Sequence, residues 1–191
     1  TSDRMLPWGN LRESISNLLR ANSIIVTNSP ADLSDAGRNL IISEIGRNKG
    51  QSIFFTTVEY KDPLPVFPGT GTDESPGFEI SSSGESVVLV TGIANPEPLL
   101  EHLGKSFNQV THLSYPDHHN YSDEDIRRII RTFDSPGTSH RHIFTTEKDA
   151  VRIREFTNIA EPYRSAFRYI PIGIRFLNGD KDEFDKLITG Y

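Results

Sequence analysis

Two adjacent histidines in one loop are the side chains of this sequence best suited to proton transfer. His118 and His119 follow Asp117, and the loop 114–122 that contains them joins a predicted strand to a predicted helix. Histidine ionises near neutral pH and is the most frequent general base. Ligands of open α/β sheets bind where parallel strands end. The loop is therefore a candidate site, with a polar surface turn as the alternative interpretation.

Two other predicted strands end in polar segments. Thr91 and Gly92 follow the strand 87–90, and the segment 146–149, which contains Lys148, follows the strand 142–145. Parallel strands end on the same edge of a sheet, so a glycine turn, a lysine and the histidine loop together predict an anion site there. The alternative for Lys148 and Asp149 is an ordinary charged first turn of a helix, which the helix dipole favours for the aspartate.

The order of predicted elements indicates an α/β fold. A strand at 23–28, a helix that begins at Ser34 and ends at Gly46, and a strand at 52–60 form a βαβ unit. Strands at 87–90, 109–113, 142–145 and 169–176 then alternate with helices, which predicts a parallel layer. Asn95 is expected to cap one of these helices, and Asp180 is expected to cap the last, with apolar residues facing inward at the following positions: Phe184, Leu187 and Ile188.

The residues between the two patterns are rich in proline and glycine, which predicts a linker or a small hairpin at 61–86. The expected domains are therefore 1–60 and 87–191. The chain begins at Thr1, without methionine, and runs directly into a motif, so we expect a larger protein of which this is a part.

Composition excludes several classes of function. The chain has 191 residues, a net charge of −6 and no basic run, so no nucleic-acid surface is predicted. It has no cysteine, which excludes disulfides and thiolate metal sites. No window is apolar enough to span a membrane, and no signal peptide is visible.

Two glycine segments imitate phosphate loops without matching them. Gly69 and Gly71 have no following lysine and helix. Gly104-Lys-Ser106 resembles the end of a Walker A loop, but Leu99 occupies the place of the first glycine, and the triplet is predicted to end a helix. Neither segment predicts nucleotide binding.

Four motifs, taken together and in order, resemble the tetraacyldisaccharide 4'-kinase family, the lipid A 4'-kinases of Gram-negative bacteria. They are Leu6–Glu13, Val90–Pro96, Pro116–His118 and Thr145–Val151. The resemblance covers essentially the whole chain but only the C-terminal part of the family pattern. Trp8 and Asn10 depart from the small residue and the proline that are common at those places, which suggests a divergent branch.

The resemblance implies a P-loop kinase that uses ATP and Mg²⁺ to phosphorylate the 4'-hydroxyl of a lipid disaccharide 1-phosphate. The expected location is the cytoplasmic face of the bacterial inner membrane, with the membrane contact made by a region upstream of this chain. The nucleotide loop and the acidic metal ligands would also lie upstream. The first domain is then an incomplete P-loop domain, and the chain alone is expected to be inactive.

The resemblance also implies roles for individual residues. His118 would pair with an upstream aspartate and activate the sugar hydroxyl. Arg12 and Glu13 would border the active site, and Asp117 and Lys148 match the motifs beside it. His112 and His119 are expected to tolerate alanine far better than His118.

Two other functions remain open from the residues alone. One is a non-catalytic α/β module whose Asp-His-His loop binds an anion or a sugar phosphate. The other is a hydrolase with His118 as its base, although no Gly-x-Ser-x-Gly elbow or cysteine nucleophile supports it.

Overall fold

The computed structural model describes residues 15–46, 48, 50–69, 85–136 and 140–190, with the backbone alone at 15, 140 and 141. The chain divides into two compact units. Unit 1 contains the described residues up to Glu59 together with those from Gly173 onward, and unit 2 is Tyr60–Ile172.

Strands and helices alternate along most of the chain. After a 3₁₀ helix at Ile15–Arg20, the elements in order are β1 (Ser23–Val26), α1 (Asp35–Ile45), β2 (Ser52–Tyr60), β3 (Leu64–Pro65), β4 (Ser86–Thr91), α2 (Glu97–Gly104), β5 (Gln109–Ser114), α3 (Asp123–Phe133), β6 (His140–Thr146), α4 (Glu147–Ile153), α5 (Glu161–Arg164), β7 (Phe167–Ile170), β8 (Ile172–Phe176) and α6 (Asp180–Thr189).

Unit 1 is built on a three-stranded sheet with the order β1-β2-β8, in which β1 and β2 are parallel. Helix α1 begins where predicted, because the Ser34 side chain accepts a hydrogen bond from the Gly37 N–H, and it ends at Gly46 in the left-handed conformation. The apolar face of α1 packs on a core that contains Ile53, Phe55 and Leu177.

Unit 2 is a sheet covered by helices on both faces. Its strand order is β3-β7-β6-β4-β5, and every neighbouring pair is parallel except β3 with β7. Successive residues of β4 point to opposite faces: Val88 packs in a core with residues of α3 and α4, whereas Leu89 packs in another core with residues of α2. The mixed α/β architecture is thus confirmed. Because β4, β5 and β6 are parallel, the loops that follow them lie together at the carboxyl ends of the strands.

The predicted strand 169–176 is wrong as a single element. It is two strands, β7 in unit 2 and β8 in unit 1, separated by Pro171. Proline has no N–H to continue a strand ladder, and the Pro171 carbonyl instead accepts the Lys61 N–H at 2.9 Å. Residues from Gly173 onward therefore leave the expected domain 87–191 and complete unit 1.

The beginning of the predicted linker 61–86 is part of unit 2. Strand β3 pairs with β7, and the next two side chains, Val66 and Phe67, are buried in its core. Residues 70–84 lie outside the described part of the chain. Apolar burial thus overrides the local proline signal at 61–69.

The start of the last helix differs from the prediction. Asp180 does not cap α6, which follows the left-handed Gly179; the buried Asp180 carboxylate binds Arg38 instead. Leu187 and Ile188 are exposed rather than inward-facing. At the start of α2, Pro96 directly precedes the helix and has no side-chain cap, and the predicted Asn95 side chain accepts the Glu97 N–H at 3.3 Å.

Candidate functional site

His118 lies in a tight turn at the carboxyl end of β5. The turn is closed by a hydrogen bond from the His119 N–H to the Pro116 carbonyl at 3.1 Å, and His118 has a φ of 62°. The His118 N–H donates to the Asp117 carboxylate at 3.0 Å and to the Gly92 carbonyl at 3.3 Å. The His118 side chain is 72% exposed, so it is available to a ligand.

Lys148 and Asp117 form an ion pair beside His118. Lys148 Nζ donates to Asp117 Oδ1 at 2.7 Å, and Asp117 Oδ2 lies 3.6 Å from His118 Nε2. The hydrogen bond from Lys148 lowers the pKa of Asp117, and the nearby His118 adds to this effect. The structure therefore brings together three of the predicted site residues, which come from the ends of two strands.

His119 is positioned differently from His118. Its side chain is only 24% exposed, and its Nε2 lies 3.1 Å from Asp125 Oδ2. The ring stacks on Tyr115 at 4.7 Å and contacts the ring of Tyr121 edge-on at 5.1 Å. This packing argues against the tolerance to alanine expected for His119.

The helix after the loop begins with a reciprocal cap. The Asp125 N–H donates to Ser122 Oγ at 3.3 Å, and Asp125 Oδ2 accepts the Ser122 N–H at 2.8 Å. Burial opposes ionisation of Asp125, but hydrogen bonds from Ser122 and His119 outweigh it and lower the pKa of this carboxyl. The helix start predicted at Ser122 is thus confirmed, and the cap also holds His119.

A buried carboxylate joins the loops that follow β4 and β6. Asp149 is fully buried, and its Oδ2 accepts the Gly92 N–H at 2.9 Å and the Thr146 hydroxyl at 2.7 Å. Sequence reasoning treated Asp149 as an ordinary helical residue and missed this connection. The available signal was the Thr146-x-x-Asp149 spacing, which indicates a cap but does not predict the bond to Gly92.

Gly92 is required here by the close approach of other atoms. A Cβ at this position would lie 2.9 Å from Asp149 Oδ1, 3.3 Å from the Pro116 carbonyl oxygen and 3.4 Å from His119 Cβ. The glycine predicted at the end of β4 therefore allows the histidine turn to pack against the buried carboxylate.

An open cavity of about 370 Å³ lies in unit 2 beside the histidine loop, lined by Asn120, Tyr121, Arg152, Glu155 and Phe156. Arg152 also donates to the His119 carbonyl at 3.2 Å. Burial and the nearby charge of Asp149 raise the pKa of Tyr121, which stays neutral.

Several predictions fall elsewhere. Arg12, Glu13 and Gly71 lie outside the described residues. Helix α2 ends at Gly104, which confirms that Gly104-Lys-Ser106 ends a helix instead of opening one.

Among the described side chains, no three of His, Asp or Glu are grouped so as to hold a metal ion. None of the helices in the described ranges is both long enough and apolar enough to cross a membrane.

Residues 1–190 match a family model described as tetraacyldisaccharide-1-P 4'-kinase. A tetraacyldisaccharide 4'-kinase from Bacteroides thetaiotaomicron is 35% identical, with 99% of this chain and 51% of the relative aligned. One from Flavobacterium johnsoniae is 37% identical, with 99% of this chain and 50% of the relative aligned. The chain thus spans about half the length of these curated relatives.

A solved structure shares the fold. It is LpxK from Aquifex aeolicus in complex with ATP, which matches 98% of this chain and 48% of its own with a TM-score of 0.59 and 21% identity. At that identity the likeness shows a common fold.

Proposed function

The chain belongs to the tetraacyldisaccharide-1-P 4'-kinase family, and from that premise we propose that it forms the C-terminal half of an ATP-dependent kinase. The kinase would phosphorylate the 4'-hydroxyl of tetraacyldisaccharide 1-phosphate, and this reaction is a step of lipid A synthesis. One observation carries the proposal: within a matching family segment, an exposed histidine is held by a strained turn at the edge of the sheet where ligands bind.

In this proposal His118 accepts the proton of the sugar hydroxyl as the oxygen attacks the γ-phosphorus of ATP. Phosphoryl transfer depends mainly on position and charge, so a base fixed in direction is of use. His118 would pair with the upstream aspartate named above, and the carboxylate of Asp117, 3.6 Å from His118 Nε2, would add to the stabilisation of the imidazolium that forms. Lys148 holds Asp117 in place through the ion pair between their side chains.

We assign ATP and Mg²⁺ mainly to the half of the kinase outside this chain. The described side chains include no group of three ligands that could hold a metal ion. Unit 1 would be the C-terminal part of the P-loop domain, and Arg12 and Glu13 would border the site. The complete protein would work at the cytoplasmic face of the inner membrane, and this chain alone would be inactive.

The second candidate is a module that binds an anion or a sugar phosphate without catalysis. Lys148, the cation of the loop edge, is already paired with Asp117 at 2.7 Å. Because this pairing partly compensates the positive charge of Lys148, it favours the kinase over a module that only binds an anion.

The test is His118→Ala in the complete protein that carries this segment. We expect turnover to fall by roughly a hundredfold or more, because a general base contributes about that factor or more. His102→Ala is the control, because this histidine lies in the last turn of α2, where its ring stacks on Tyr60. Unchanged phosphate transfer to the disaccharide in His118→Ala would remove His118 from the mechanism. Binding of the disaccharide without transfer in the unaltered protein would favour the module.

A further inference from the structure

We infer that Asp149 is a positioning residue that fixes the backbone of the turn carrying His118. The inference rests on the proposed role of His118 as the base. Asp149 itself is fully buried and cannot touch a substrate, so it would act through other residues.

Two separate connections run from the Asp149 carboxylate to the turn. On one side, Asp149 Oδ2 accepts the Gly92 N–H at 2.9 Å, and the Gly92 carbonyl accepts the His118 N–H at 3.3 Å. On the other side, Asp149 Oδ1 lies 3.9 Å from Arg152 Nη1, which donates to the His119 carbonyl at 3.2 Å. The carboxylate is thus linked to the first end of the His118-His119 dipeptide by hydrogen bonds and to the second end through the charge of Arg152, because no described residue donates a hydrogen bond to Asp149 Oδ1.

The turn needs such support because His118 has a φ of 62°. A residue other than glycine persists in this conformation only when surrounding contacts determine it. Its N–H bond to the Asp117 side chain is exposed to solvent. The path through Gly92 begins at a buried hydrogen bond, where competition from water is weakest.

The charge of Asp149 matters as well as its shape. Hydrogen bonds to a carboxylate are stronger than those to a neutral amide, and only the carboxylate attracts Arg152. Asparagine fits the same space but loses the attraction and weakens the bond to Gly92. Asp149→Asn should therefore loosen the turn while leaving the side chains of Asp117, His118 and Lys148 chemically intact.

The main test compares Asp149→Asn with Asp180→Asn in the complete protein. Asp180 is a matched control in unit 1, because it is also buried and also binds an arginine, Arg38, and a backbone N–H, that of Phe55. We expect kcat of Asp149→Asn to fall by about tenfold or more with little change in KM, as a small displacement of a catalytic group produces. Asp180→Asn should leave both constants close to those of the unaltered protein.

A second measurement does not depend on kinase activity. The Cε1–H NMR signal of His118, assigned with His118→Ala, should shift or broaden in Asp149→Asn and stay in place in Asp180→Asn. Loss of general stability alone would not produce this difference. If the signal and kcat are both the same in the two aspartate variants, the inference is overturned.

Gly92→Ala provides an independent route if Asp149→Asn does not fold. The added methyl group would approach Asp149 Oδ1 to 2.9 Å and the Pro116 carbonyl to 3.3 Å, so it should displace the same turn. We expect a similar loss in kcat and a shifted His118 signal. Where both single variants fold, the double variant should be no worse than the more damaged single one, because coupled changes are not additive. Strict additivity would contradict a shared path.

The two proposals fail separately. If His118→Ala retains full turnover, the proposed base is wrong, and the NMR comparison still decides whether Asp149 holds the turn. If His118→Ala is inactive and Asp149→Asn keeps full kcat with an unchanged signal, the base stands and the positioning role is wrong.

Discussion

His118 combines an exposed ring with a constrained backbone. A left-handed conformation costs a residue other than glycine of order 1–3 kcal/mol, although histidine adopts it more readily than most. The φ of 62° is compensated by hydrogen bonds of the turn, among them the one from the His118 N–H to the Gly92 carbonyl. The loop therefore fixes the position from which the His118 side chain leaves the backbone, as the base proposed above would require.

The ion pair beside this ring leads to a prediction about Asp117. Lys148→Met removes the hydrogen bond that contributes most to lowering the pKa of Asp117, so that pKa should rise toward its ordinary value. A ¹³C NMR titration of the carboxyl group measures the change. Lys181→Met is the control, because it removes a surface lysine that pairs with Asp185. An unchanged titration of Asp117 in Lys148→Met would show that the pair does not form in solution.

The residues of the site were predictable to different degrees. Asp117, His118 and Lys148 were identified from their types and from the rule that parallel strands end on one edge, and the structure places them together. Asp149 was not, because a first-turn aspartate looks the same in a sequence whether it faces solvent or a buried glycine N–H. Its partner, Gly92, is 57 residues away, and only the packed sheet brings them into contact.

At the scale of elements, the start of α3 is important because its cap also holds the histidine loop. Ser122→Ala removes both side-chain bonds of Ser122 with Asp125, and we expect a loss of about 1 kcal/mol in the stability of unit 2. Hydrogen exchange of the β4 amides under native conditions measures it. Thr132→Ala, on the same helix, is the control: its hydroxyl donates to the Arg128 carbonyl, and alanine suits a helix interior. Equal losses in the two variants would contradict the capping role.

The effect of Ser122→Ala should also depend on pH. Ionised Asp125 is favoured in the folded state, since its pKa is lowered there. Its contribution is therefore fully present above the unfolded pKa of about 3.9 and is lost as pH falls through the lower, folded value. The difference between the unaltered protein and Ser122→Ala should narrow on acidification over that window. A difference that is constant down to the acid limit would show that Asp125 takes no part.

Helix starts were predictable where a side chain caps its own helix, as Ser34 and Ser122 do. The prediction failed for α6, where Asp180 matches the capping pattern but binds Arg38 and the Phe55 N–H. A buried ion pair with a distant arginine outweighs a local cap, and the left-handed Gly179 then supplies the turn into the helix. The capping pattern around Asp180 gives no information about the distant Arg38, so it cannot predict which of the two interactions forms.

At the scale of the molecule, the chain crosses from unit 1 to unit 2 and back. Alternation of strands and helices was enough to predict an α/β fold, but not which sheet each strand joins. The chain leaves unit 2 for unit 1 at Pro171, between β7 and β8. The apolar residues on both sides of this proline predict one strand. Strand pairing is decided by packing: Leu177, just after β8, is buried with Phe55 in the core of unit 1.

This division predicts the result of a truncation. Removing residues 173–191 takes away Leu177, whose N–H donates to the Phe55 carbonyl at 2.9 Å, and the carboxylate of Asp180, which binds Arg38. Amides of β2 should then lose protection in hydrogen–deuterium exchange, whereas those of β4 and β6, which pair with each other inside unit 2, should keep it.

A shorter truncation serves as the control for this experiment. Removing residues 185–191 keeps β8, Leu177, Asp180 and Phe184, whose ring contacts Phe54 of β2 at 5.3 Å. It discards the exposed side chains of Leu187 and Ile188, so the loss of protection in β2 should be smaller. If the longer truncation instead exposes β6 as much as β2, residues 173–191 stabilise the second sheet, and the domain expected from the sequence at 87–191 would describe the chain better than the two units do. Selective exposure of β2 would establish that the last strand and helix fold with the beginning of the chain.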